Sequence, residues 1–135
     1  MTFRPIAYAD LNARQKENYN FHKVAARLAD FGFTSVRLSD DFEGADFIAL
    51  HIDGETMLRV QLKARMTIDR KYIGKGLHVA FLDGNRVFLY PHDEMLEVLL
   101  EATTIGTTRS WLEAGTYTWP KLSSSVMVHL NEYEV

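Results

Sequence analysis

The run ADFIALHI at residues 45–52, a turn at Asp53-Gly54 and the run TMLRVQLKA at residues 56–64 constrain the fold more than any other part of the chain. Both runs alternate, and Asp-Gly between two such runs is a strong hairpin signal, here with Glu55 and Thr56 extending the loop. A period of two puts Asp46, Ile48, Leu50 and Ile52 on one side of the first strand. On the second strand, Leu58, Val60 and Leu62 share one side, and Met57, Arg59, Gln61 and Lys63 share the other. A polar group inside a packed strand costs stability unless something pairs with it. Asp46, Gln61 and Lys63 therefore need either a structural partner or a chemical task.

The elements around this hairpin place it in an α+β, or mixed α/β, domain. Residues 10–31 read as one long helix with Phe21, Val24, Leu28 and Phe31 at helical spacing and Gly32 as a stop. FTSVRLS reads as a strand leading through the turn DDFEG into residue 45, and LHVAFL and RVFLYP form a further pair about Asp83-Gly84-Asn85. HDEMLEVLLEA reads as a second helix, with acids in its first turn and Met95, Leu96, Leu99 and Leu100 inward. MTIDRKYIGKG reads as an irregular connection. In the tail, SWLEAG reads as a short helical turn and TYTWP as a loop, while SSSVMVHLNEYEV fits either a helix capped by serine or a strand. The expectation is one domain over residues 1–135, with a core at about 10–102, a mixed sheet of about five strands and a C-terminal extension over 103–135.

At 135 residues the chain is long enough to bury a core without staples. It has no cysteine, which removes disulfides, thiol catalysis and cysteine metal sites. MTFRPIAYAD has no apolar core of signal-peptide length, and no run approaches the roughly 18 apolar residues of a membrane span. The expectation is a soluble, cytoplasmic protein.

Charge is unevenly placed. From Arg59 to Lys75 six basic residues (Arg59, Lys63, Arg65, Arg70, Lys71 and Lys75) face the single acid Asp69, in a chain whose total is −3. A local basic patch is what a polyanion meets, because phosphate attraction reaches only about a Debye length, roughly 8 to 10 Å. A solvated strand edge and loop would have the same composition.

The first helix adds a further oddity. At about 100° per residue Glu17 falls within roughly 40° of Phe21, Val24 and Leu28, on the apolar face. The same position, near a helix start, also suits an acid that runs out to water.

An acid on the first helix, an acid in a strand and Gln-x-Lys on the hairpin partner together resemble the PD-(D/E)xK nuclease superfamily, the restriction-endonuclease-like proteins. That family's core is a helix, a three-stranded antiparallel meander, a helix and a further strand. Its motif runs from an Asp to an acid-x-Lys pair, often with a Glu from the first helix. Glu17, Asp46, Gln61 and Lys63 match these positions in order, within GADFIAL and VQLKA, and the resemblance covers about residues 10–90. Ala45 stands where proline is common, and Gln61 stands where an acid is commoner, which removes one negative charge from the implied metal site.

The resemblance implies hydrolysis of DNA phosphodiester bonds with Mg²⁺ or Mn²⁺, with RNA as an open alternative and a homodimer as the working form. Asp46 would bind the metal directly, the Gln61 side-chain carbonyl and the Leu62 backbone carbonyl would add neutral oxygens, and Glu17 would act directly or through water. Lys63 would orient the nucleophile or stabilise charge growing on phosphorus, and Asp46 would neutralise it. All four side chains are expected to converge on one concave surface, with Arg65, Arg70, Lys71 and Lys75 holding nucleic-acid phosphates. The alternative is a non-catalytic relative that uses the same fold to bind nucleic acid or protein.

The other polar residues read as structural. His22, His51, His78, His92 and His129 lack metal-ligand spacing. Gly74-Lys75-Gly76 is too short for a phosphate loop, Ser123 to Ser125 fit a helix cap, and Trp111, Tyr117 and Trp119 fit packing of the tail.

Overall fold

The computed structural model describes residues 1–135. Helix α1 spans Ala13–Ala29, shorter at both ends than its pattern. Asn12 caps it by accepting from the Gln15 N–H, while the Gln15 side chain accepts from the Asn12 N–H, so two orphan donors are satisfied reciprocally. Phe21, Val24 and Leu28 are buried as their spacing requires. Phe31 is not: the helix has already ended, helical projection no longer applies, and the ring is exposed.

Strands β1 (Phe33–Phe42), β2 (Ala45–His51) and β3 (Met57–Leu62) form the expected antiparallel meander. The connection after β3 is more ordered than its composition suggests. It contains β4 (Thr67–Asp69) and a 3-10 turn at Arg70–Tyr72 before β5 (Leu77–Asp83) and β6 (Arg86–Pro91). The main sheet runs β1-β2-β3-β5-β6, with β3 and β5 parallel and every other pairing antiparallel. The crossover between β3 and β5 carries no α-helix, which departs from the family core named above. Helix α2 (His92–Ala102) comes after β6 instead.

The tail also differs from its reading. TYTWP contributes β7 (Thr116–Thr118), which pairs with β4, and Ser124–Leu130 is helix α3. No Ser123 side-chain bond caps α3; its hydroxyl pairs with Ser125 instead. SWLEA does form a helical turn, of π type.

Burial follows the two faces of the sheet. Phe21, Val24 and Leu28 of α1 pack on Phe47, Ala49, Val60, Ala80, Val87 and Leu89. On the opposite face, α2, α3 and the tail cover Val79, Phe81, Phe88 and Tyr90 with Met95, Leu96, Leu99, Trp111, Trp119 and Leu130. Leu100 is exposed, since it lies about 90° from the middle of the buried stripe His92, Met95, Leu96 and Leu99. This second layer stops at β5. Over β1 to β3 the same face carries only the small cluster of Ala45, Tyr72 and Leu77, and Val36, Leu50 and Met57 are exposed on it.

Tyr90 ties the two sheets together. Its fully buried hydroxyl donates to the Thr67 carbonyl at 2.6 Å and accepts from the Thr67 N–H at 3.1 Å. Tyr90→Phe leaves both backbone groups unpaired in a dry site and is expected to cost about 1–3 kcal/mol. Urea unfolding should show a lower midpoint at an unchanged slope.

Candidate functional site

The polar residues that the alternation set apart gather where β2 begins and β3 ends. Phe47 pairs with Val60, so Asp46 stands opposite Gln61 and shares its face. The Leu62 N–H donates to Asp46 Oδ2 at 2.8 Å, which leaves the second carboxylate oxygen without a backbone partner. Burial pushes the Asp46 carboxyl above its usual range, and Asp41 and Glu17 push in the same direction; the Leu62 N–H and Lys63 oppose them.

Lys63 lies one step past β3, its backbone N–H donating to Ala80 O at 2.9 Å. It makes no ion pair with Asp46 within 4.0 Å, yet its charge favours the Asp46 carboxylate from farther off. Its ammonium sits 5.5 Å from the centre of the Tyr72 ring, and the Lys71 ammonium sits 5.3 Å from the same ring. Tyr72 was not singled out in the sequence. It is buried, packs on Ala45 and Leu77, and holds two lysines beside Asp46.

Two concavities meet at Asp46 and Lys63. The first, about 340 Å³, lies on the open face and is lined by Asp41, Gly44, Asp46, Gln61, Lys63, Lys71, Tyr72 and Lys75. The second, about 400 Å³, lies on the α1 side, where Glu17 and Asn20 join Asp46, Leu62 and Lys63. The four motif residues thus occupy adjoining surfaces rather than one. Glu17 approaches Asp46 from the helix, is exposed, and shares no wall with Gln61. Helix α1 covers one side of the sheet while Gln61 projects from the other, and only the end of the sheet lets the two sides communicate.

The basic segment also divides. Lys71 and Lys75 stand with Lys63 around Asp46. Arg70 turns away, its guanidinium 4.8 Å from the centre of the Trp111 ring. Arg65 lines a separate depression with Trp119, Pro120 and Lys121.

Gly44 shapes the floor of the open-face concavity. The β1–β2 turn needs a left-handed residue there, with φ at +86°, and a Cβ would stand 2.9 Å from Leu77 Cδ1. The strand therefore enters Asp46 from a turn with no room for a side chain.

The donors around Asp46 are hard oxygens, which suits Mg²⁺ in the mode that uses one or two carboxylates, retained waters and substrate phosphate. Asp46 would supply the direct carboxylate and Glu17 a second from the helix side. The Gln61 amide nitrogen donates to Leu62 O at 3.2 Å, so the backbone carbonyl expected to bind metal already has a partner. No cluster of three or more His, Cys, Asp or Glu side chains is present. The histidines serve elsewhere: fully buried His92, for example, accepts from the Asp69 N–H and pairs with Asp93.

No protein-family model, curated protein or solved structure matches the chain. No helix is long and apolar enough to cross a membrane.

Proposed function

We propose that the chain is a nuclease-like domain that hydrolyses DNA phosphodiester bonds with Mg²⁺ or Mn²⁺ where β2 begins and β3 ends. The observation that carries this reading is the facing pair Asp46 and Gln61, with Lys63 beside them and Lys71 and Lys75 on the same concave wall. When bound, the divalent ion would supply a Lewis acid for the phosphate and lower the pKa of a water. The chain's own residues do the rest. Lys63 places a positive charge where negative charge grows on the phosphoryl oxygens, and Lys71 and Lys75 hold neighbouring phosphates in register. Asp46 and Glu17 orient the water on the side away from those lysines.

With two acids rather than three, divalent affinity should be weak in the free protein and improve once phosphate adds oxygens. Calorimetry should find little Mg²⁺ binding without nucleic acid; tight binding would show that the donors are misassigned. Neutralising Lys71 and Lys75 should weaken binding across all sequences and flatten the dependence of log K on log salt by up to about 0.9 per lost phosphate contact on B-DNA. Cleavage assays on single-stranded, double-stranded and branched DNA with each metal test the activity itself.

A second reading has its own support. The Gln61 amide nitrogen competes with a metal for the Leu62 carbonyl, while the three lysines line the concavity where a phosphate would enter. This is the arrangement of a non-catalytic nucleic-acid-binding domain. A purified protein that binds DNA and cuts no substrate with either metal would establish it.

A further inference from the structure

Ala13, Lys16, Glu17 and Asn20 form one stripe along the first two turns of α1, at the three- and four-residue spacing that stacks side chains on one face. The stripe walls the 400 Å³ cleft on the helix side of Asp46 and Lys63. Asn20 is the exceptional member. It is only 8 % exposed, yet its amide has no hydrogen-bond partner within the protein. It is not among the fully enclosed polar atoms left unpaired, so the amide reaches the open space of the cleft and of the adjoining depression lined by Tyr8, Tyr19, Ala64, Leu82 and Gly84. A nearly buried amide costs stability unless something outside the protein pairs with it.

The other walls indicate what that partner is. Tyr8 lines both hollows and is held in place by Tyr19, edge-on at 5.2 Å, and by the Lys16 ammonium 5.4 Å from its ring centre. Leu38 and Leu62 supply apolar surface, and Lys16, Arg37 and Lys63 outnumber the acids Glu17 and Asp46 in the lining. An amide that offers both donors and an acceptor, an aromatic ring, apolar walls and cations in the lining match a flat heteroaromatic ring carrying a phosphate. The volume falls within the roughly 300–1,000 Å³ of small-molecule sites.

We infer that this cleft receives one unpaired nucleobase, read along its hydrogen-bonding edge by Asn20 and flanked by Tyr8, with its phosphate directed to Lys63. The inference rests on the phosphodiester reading of the neighbouring site and narrows its substrate to single-stranded or extruded nucleotides. A base that is paired inside a duplex cannot present that edge to the Asn20 amide. The same chemistry is offered by a nucleotide within a strand and by a free nucleoside monophosphate.

The test is fluorescence anisotropy with labelled 12-mers: single-stranded, duplex, and single-stranded with abasic sites, in Ca²⁺ to prevent turnover, alongside calorimetry with the four deoxynucleoside monophosphates. Single strands should bind about tenfold tighter than duplex. Asn20→Ala and Tyr8→Ala should each weaken single-strand binding about tenfold and leave the abasic strand unaffected. Asn20→Asp should change the preference among bases, because it exchanges a donor for an acceptor. Exposed Tyr8 provides the readout should the buried Asn20 variants fail to fold. Monophosphates that bind as tightly as the strand would identify a free nucleotide as the source, with the base site intact. Equal binding of single strand, duplex and abasic strand, insensitive to Tyr8→Ala but weakened by loss of Lys71 and Lys75, would overturn the base site and leave the phosphodiester reading standing. Absence of binding to every probe would overturn both.

Discussion

Replacing Lys63 with alanine is expected to lower Mg²⁺-dependent cleavage by at least about 100-fold, because it removes a fixed charge aimed at the developing phosphoryl charge. Much of the affinity for DNA should survive, since Lys71 and Lys75 line the same concavity and keep their phosphate contacts. The converse variant, with both of those lysines neutralised, should bind poorly at physiological salt and still cleave once saturated. Parallel single-turnover and gel-shift measurements, with folding checked by circular dichroism, separate the two effects. Equal losses of binding and cleavage in the Lys63 variant would mean that this lysine is merely another phosphate contact.

Asp46→Asn is expected to remove cleavage and make the protein more stable. The carboxyl is pushed above its usual range mainly by burial, so folding favours its protonated form. The stability that this proton contributes is fully present below the unfolded carboxylate value, near pH 4, and is lost as pH rises through the higher folded value. Above that value the wild-type protein carries a half-buried anion at a cost, whereas Asn carries no charge and its carbonyl can still accept from the Leu62 N–H. Thermal melts should show a rise in Tm of roughly 2–4 °C at pH 7 that disappears near pH 3. A fall in Tm at pH 7 would make Asp46 a structural acid whose bond to Leu62 outweighs its burial.

The sequence revealed elements whose determinants are local. Gly32 and the spacing of Phe21, Val24 and Leu28 marked helix α1, and strict alternation placed Val60 inward with Gln61 and Lys63 on the other face. Asp53 shows why the hairpin loop runs past two residues: its carboxylate accepts from the Glu55 and Thr56 N–H groups and from the Thr56 hydroxyl.

What stayed hidden depends on distant partners. Strands β4 and β7 are three residues each and exist because Thr67 meets Thr118 across the chain. Composition alone could not show that Arg70 would turn to Trp111 while Lys71, set between Tyr72 and Asp69, and Lys75 lined the same concavity as Asp46. Tyr72 looked like part of a basic loop, and Asn20 like one more polar helix residue. Only packing made the first a platform for lysines and the second a buried amide facing a cleft. Glu17 and Gln61 show the limit most clearly: their order matched a motif, yet they line adjoining concavities rather than one.

The parallel pairing of β3 with β5 sets a rule for the segment between them, residues 63–76. A parallel neighbour needs a return path of a dozen or more residues from one end of the sheet to the other. This segment is close to that minimum and spends part of its length on β4 and the turn at Tyr72. Deleting residues here would pull β5 out of register, whereas Lys71 and Lys75 can lose their charges without disturbing the path. In this part of the chain the path of the backbone depends on length, while the proposed function depends on charge.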